Sequence, residues 1–185
     1  MTNRFAEMDC CVLAGGRSNP GEDFLPDGDL TRLERWYRRY AAVFETVKLV
    51  LKESQATEHY LNYPYIVDDE PEQSMVVGIR AALKNADSDA VFIGSSDITD
   101  FPLELIVNLV KQYKGELFLG YTGGPEEPST GQPLFGIYHK RLVEQLDDSG
   151  SDTDRLFRLL EEEGRLLRLP SDDIARKVGL DRTVS

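Results

Sequence analysis

Apolar residues along this chain follow two rhythms, and the rhythm switches at regular intervals. Residues 10–14, "CCVLA", form a continuous apolar run closed by Gly15 and Gly16, the pattern of a strand buried on both faces of a parallel sheet. Over 30–44 the period lengthens. Leu30, Leu33, Tyr37, Tyr40 and Phe44 recur at helical spacing, which predicts a helix. "TVKLVL" at 46–51 reads as a second strand and "YIV" at 65–67 as a third. "EQSMVVGIRAALK" at 72–84 predicts a helix with Met75, Ile79 and Leu83 on one face, and "AVFIG" at 90–94 is the most apolar strand of the middle chain. A helix over 103–113 follows Pro102, which suits a first turn. Strands at 116–122 and 133–139 flank the Gly/Pro/Glu-rich loop "GGPEEPSTGQ". Helices at about 140–146 and 153–163 come next, the second opened by "SDTD" and closed by Gly164, and "RLLRL" at 165–169 is a last strand.

Strands alternating with helices of this length predict an α/β fold, a three-layer α/β/α Rossmann-like arrangement with a mainly parallel sheet. A length of 185 residues is most simply one domain, 1–185. In such sheets ligands bind outside the carboxyl ends of the strands, and that rule sorts the candidates. Leu13, Ala14, Gly15 and Gly16 end the first strand, where bare backbone can cradle a base or phosphate; a tight strand exit would also call for these glycines. The stretch is neither a Walker loop nor a GxGxxG fingerprint. Asp97 follows the 90–94 strand with Ser95 and Ser96 beside it; its carboxylate suits Mg²⁺, or else it caps the next helix, the job read for Asp100. Asp68 and Asp69 follow the third strand and would meet a base or ribose, or stand as solvated loop acids. Asp87 and Asp89 have the spacing of a DxD metal motif but precede their strand, on the wrong edge. Arg32, Arg35, Arg38 and Arg39 spread around one helix with Glu34 among them and read as a solvated surface. Trp36 reads as core or interface, and His59 and His139 belong to no triad.

Charge narrows the partners. A formal net charge of −12 argues against nucleic acid and against anionic membrane surfaces, whose polyanionic faces demand basic patches. An acidic protein still accepts a nucleotide if a cation such as Mg²⁺ mediates. No apolar run approaches the roughly 20 residues of a membrane span, and "MTNRFAEMD" lacks a signal segment. Cys10 and Cys11 are neighbours pointing to opposite strand faces, with neither disulfide nor metal spacing, so a reducing cytoplasm is expected.

Four stretches bring a family into view: "VLAGGRS", "DDEPEQSMVVGI", "FIGSSDITDFP" and "QPLFGIYHKRL". Together they resemble the molybdenum cofactor guanylyltransferases of the nucleotidyltransferase superfamily, with Asp68, Pro71, Gly78 and Ile79 in register with the family's second motif. The resemblance implies a nucleotidyltransferase that moves GMP from GTP to the molybdopterin cofactor and releases pyrophosphate. It implies that Leu13, Ala14, Gly15 and Gly16 hold the nucleotide, Asp68 contacts guanosine, and Asp97 is the catalytic Mg²⁺ and phosphate ligand. It also implies a protein partner among molybdoenzyme-maturation factors.

This chain departs from the family at several points. Asn19-Pro20-Gly21 stands for the Arg-Met-Gly of the first motif, and Phe24 for its lysine if Gly21-Glu22-Asp23 is aligned with G-x-D. Lys52 stands for an asparagine, Ser74-Met75-Val76 for Gly-Pro-Leu, Ser96 for a cysteine and Gln132 for a histidine. These losses open an alternative: a degenerate, non-catalytic member that binds nucleotide, pterin cofactor or a protein. A transferase for another acceptor, such as a sugar phosphate, is a third reading. Arg17 or Lys52 would be the substitute cations; for a degenerate member Phe24→Lys is expected to tighten GTP–Mg²⁺ binding by adding the missing charge, whereas for an active enzyme it is expected to help little.

Overall fold

The computed structural model describes residues 4–14, 24–58, 62–68, 70, 72, 74–96, 98, 101–122, 133–147 and 150–169. Its strands are β1 (Asp9–Leu13), β2 (Pro26–Asp27), β3 (Leu30–Thr31), β4 (Val47–Lys52), β5 (Tyr65–Asp68), β6 (Ala90–Ser95), β7 (Phe118–Thr122), β8 (Phe135–His139) and β9 (Gly164–Arg168). The helices are α1 (Arg32–Tyr40), α2 (Glu53–Glu58), α3 (Met75–Lys84), α4 (Leu103–Gln112), α5 (Leu142–Asp147) and α6 (Thr153–Glu163). Seven strands form one sheet in the order β5-β4-β1-β6-β8-β7-β9, in which β8 alone runs antiparallel to its neighbours. The expected α/β architecture with a mainly parallel sheet is therefore present, and the strands of "CCVLA", "TVKLV" and "AVFIG" are adjacent at its centre.

Both faces of the central strands are buried because both are covered. Cys10, Val12 and Phe92 enter one apolar layer with residues of α1 and α4; Cys11, Leu13, Val91 and Ile93 enter the other with residues of α3, α5 and α6. The two cysteines thus lie on opposite faces, and burial pushes the Cys11 thiol up to about 12. The α1 layer is aromatic. Trp36 stacks on Phe101 at 5.4 Å between ring centroids, Phe44 on Phe92 at 5.4 Å, and Phe135 meets Phe101 edge-on at 4.6 Å.

Helix α1 is shorter than its apolar spacing predicted. Thr31 closes a capping box with Glu34, which fixes the start at Arg32. Leu30 instead pairs with Asp27 in a two-residue hairpin across Gly28, whose φ of 70° favours glycine. At the far end Phe44 forms a parallel bridge to Phe5 after the turn at 41–43. Helix α2 was not foreseen, because "ESQATE" has no apolar period; Gln55 holds it to the sheet by accepting from the Lys52 amide at 2.8 Å.

Gly94 in β6 lets α1 approach the sheet. A Cβ there would overlap the Tyr40 phenol, which is fully buried among Trp36, Phe92 and Phe101 and cannot swing aside. Gly94→Ala is expected to cost about 1–3 kcal/mol by overpacking, read as a lower urea midpoint with an unchanged m-value.

Candidate functional site

The order β5-β4-β1-β6 contains a reversal. The chain runs from β1 outward through β4 to β5, then returns to β6 on the other side of β1. That is a topological switch point, and its crevice opens at the carboxyl ends of β1 and β6. Leu13 and Ser95 are register partners there, and the Ser96 amide donates to the Leu13 carbonyl at 3.1 Å. Ala14 donates its own amide to the Val50 carbonyl at 3.1 Å and is half-buried at the edge. Leu13 and Ala14 are thus where the sequence put them. Gly15, Gly16 and Asp97 lie outside the described residues, as do Arg17, Asn19, Pro20, Gly21, Asp69 and Gln132. Along the chain, Gly15 directly follows Ala14 and Asp97 directly follows Ser96.

Leu13 is pinned from the α3 side. A Cβ on Gly78 would come within 2.9 Å of Leu13 Cδ2, so a side chain there would push against the residue that ends β1. This gives a packing reason for the glycine in "MVVGI".

The neighbouring edge, formed by β4 and β5, is occupied by charge. Lys52 and Asp68 are register partners at the ends of their strands, and Lys52 Nζ lies 2.7 Å from Asp68 Oδ2. The same ammonium donates to the carbonyls of Glu70 at 2.9 Å and Glu72 at 2.7 Å. Asp68 Oδ1 accepts from the Glu70 amide at 3.2 Å, and the Asp68 carboxylate is only 6% exposed. Glu70 is gripped in turn by Arg80, whose Nε donates to Oε1 at 3.1 Å and whose second terminal nitrogen meets Oε2. Arg80 also donates to the carbonyls of Leu146 at 3.2 Å and Gly150 at 3.0 Å.

Arg80 was missed from the sequence. Its signal was a cation in the middle of the apolar helix "MVVGIRAALK", where Lys84 stands only at the end, and its side chain is 7% exposed. Burying a charge needs partners in this number.

Several expectations are corrected. Phe24 is 9% exposed and belongs to the aromatic core layer, so it does not stand open to a polyphosphate. Lys52 is not a spare phosphate cation, because its three protons already meet three acceptors around 68–72. Arg39 is not fully solvated: it donates to the Phe101 carbonyl and lies over the rings of Trp36 at 5.6 Å and Phe101 at 5.1 Å. Trp36 is core.

The discounted acids behave as expected. Asp87 precedes β6 on the amino edge and takes the Lys48 ammonium at 2.7 Å. His139 Nδ1 accepts from the Arg141 amide at 3.2 Å, and His59 lies outside the described residues. Among the described residues no three His, Cys, Asp or Glu side chains group to hold a metal.

A switch-point crevice at the carboxyl edge is where open α/β sheets bind their ligands. A family model described as "MobA-like NTP transferase domain" matches residues 10–167, and the chain belongs to that family. A probable molybdenum cofactor guanylyltransferase of Aquifex aeolicus is 31% identical over 159 residues, 84% of this chain and 76% of the relative. One from Carboxydothermus hydrogenoformans is 28% identical over 137 residues, 71% of this chain and 65% of that relative, just under two thirds of its length. A crystal structure of an Aquifex aeolicus VF5 protein superposes with a TM-score of 0.70 at 25% identity, over 97% of this chain and 95% of that one. The structure of molybdopterin-guanine dinucleotide biosynthesis protein A from Archaeoglobus fulgidus shares the fold at a TM-score of 0.67 and 16% identity, over 91% and 86% of the two chains. No helix of the described residues is long and apolar enough to cross a membrane.

Proposed function

We propose that this chain transfers GMP from GTP to a molybdopterin-type cofactor, as a single domain working in the reducing cytoplasm. The observation that supports it most is the crevice between β1 and β6, where Leu13 and Ser95 end side by side and lead into Gly15-Gly16 and Asp97. An oxygen of the cofactor's terminal phosphate attacks the α-phosphorus of GTP. The bond from that phosphorus to the bridging oxygen breaks, and pyrophosphate leaves. Little covalent work falls to the protein, so positioning and charge neutralisation dominate.

In this reading Leu13, Ala14, Gly15 and Gly16 present backbone to the nucleotide, and Asp68 stands at the base end of the edge. Asp97 holds Mg²⁺, which supplies charge neutralisation at the triphosphate when bound. One carboxylate is a poor Mg²⁺ site until phosphate oxygens complete it, so metal and nucleotide bind together.

A second reading draws on two corrections. With Phe24 in the core and the Lys52 ammonium committed elsewhere, neither replaces the basic residues that the family resemblance calls for. That favours a degenerate member that binds nucleotide, pterin cofactor or a protein partner without turnover. Pyrophosphate release measured with GTP–Mg²⁺ and either molybdopterin or a sugar phosphate separates the readings. The transferase releases it with molybdopterin alone; the binding protein shows a nucleotide-dependent rise in melting temperature and no pyrophosphate.

A further inference from the structure

Lys52 and Asp68 close the ends of neighbouring parallel strands, directly opposed in register. All three protons of the Lys52 ammonium are spent on Asp68 Oδ2, the Glu70 carbonyl and the Glu72 carbonyl, at 2.7, 2.9 and 2.7 Å. The other Asp68 oxygen takes the Glu70 amide at 3.2 Å, and Glu70 is fastened to Arg80. Both carboxylate oxygens are therefore engaged in holding the turn after β5. A guanine edge presents two adjacent N–H donors, and the group that matches them is an open, planar carboxylate. Adenine presents one donor beside an acceptor and gains nothing from such a group. The Asp68 carboxylate, 6% exposed and bonded on both oxygens, is not open in this way.

We propose that Lys52 withdraws Asp68 from base selection. Lys52 is a positioning residue that sets how far this nucleotide site distinguishes guanine from adenine, and Asp68 anchors the turn instead of reading the base. The proposal rests on the nucleotide-site reading above and specifies its selectivity.

Dissociation constants for GTP–Mg²⁺ and ATP–Mg²⁺ by calorimetric titration test it, with the ratio between the two as the readout. Asp68→Asn in the otherwise native chain is expected to leave that ratio within about twofold, roughly 0.4 kcal/mol. Lys52→Asn frees the carboxylate and raises the preference for GTP at least about tenfold, or 1.4 kcal/mol; adding Asp68→Asn to it removes the gain. Lys52→Arg, which keeps a cation on Asp68, retains the native ratio, an outcome that mere loosening of the turn does not predict. A collapse of guanine preference in Asp68→Asn alone overturns the proposal even where Lys52→Asn does not fold, and so does an unchanged ratio in a folded Lys52→Asn. If neither nucleotide binds any variant or the native protein, the nucleotide-site reading fails and the proposal with it, an outcome distinct from a flat ratio.

Discussion

Asp97→Asn is expected to abolish metal-dependent nucleotide binding while the protein stays folded. Asparagine keeps the shape and the ability to cap a helix but gives up the negative charge that a hard cation requires. The other candidate acids are placed elsewhere: Asp68 is tied to Lys52, and Asp87 and Asp89 precede β6 at the amino edge. Removing one preorganised electrostatic partner of a transition state typically costs on the order of 10²–10³ in rate, and turnover should fall by at least that much. Titration of GTP with and without Mg²⁺ reads the binding, and urea unfolding reads the fold. Native-like Mg²⁺-dependent affinity in the variant would show that Asp97 is only a helix cap.

The second large effect falls on Phe24. From the sequence, a lysine there promised tighter GTP binding in a degenerate member; with Phe24 in the aromatic layer, the opposite is expected. Phe24→Lys removes a packed ring and drives an ammonium into apolar surroundings, although the long stem lets part of the charge reach water. A loss on the order of 3 kcal/mol of stability is expected from the cavity and the uncompensated charge together. The measurements are a urea midpoint and a GTP–Mg²⁺ titration at low and high salt. A variant of native stability with salt-sensitive, tighter binding would mean that Phe24 faces the nucleotide after all.

Phe24 also shows where sequence reasoning ends. The central strands were legible because a strand covered on both faces has to be continuously apolar, and "CCVLA" and "AVFIG" are short apolar runs that meet or end in glycine. The helices α3 and α4 were legible from one apolar stripe each. The limits of α1 depended on a capping box and on Phe44 pairing with Phe5, neither of which alters the spacing of apolar residues. Helix α2 buries too little to leave a period. A strand-end rule placed Leu13 and Ala14 at the carboxyl end of β1, because position along a strand is a one-dimensional property. The Lys52–Asp68 pair is not. It follows from the register of β4 against β5, which brings together residues 16 positions apart, and no motif announces it. Arg80 could have been suspected from its apolar helix, but its acceptors come from two distant segments, Glu70 on one side and Leu146 and Gly150 on the other.

The most direct measurement follows the nucleotide itself. Native protein is given GTP labelled at the α-phosphate, Mg²⁺ and molybdopterin, and the label is traced while pyrophosphate is counted. The expected result is label in a guanine dinucleotide form of the cofactor, one pyrophosphate for each product, and neither in Asp97→Asn. Label that stays in GTP, with no pyrophosphate and no nucleotide-dependent shift in melting temperature, would contradict a nucleotidyl-transfer site between β1 and β6.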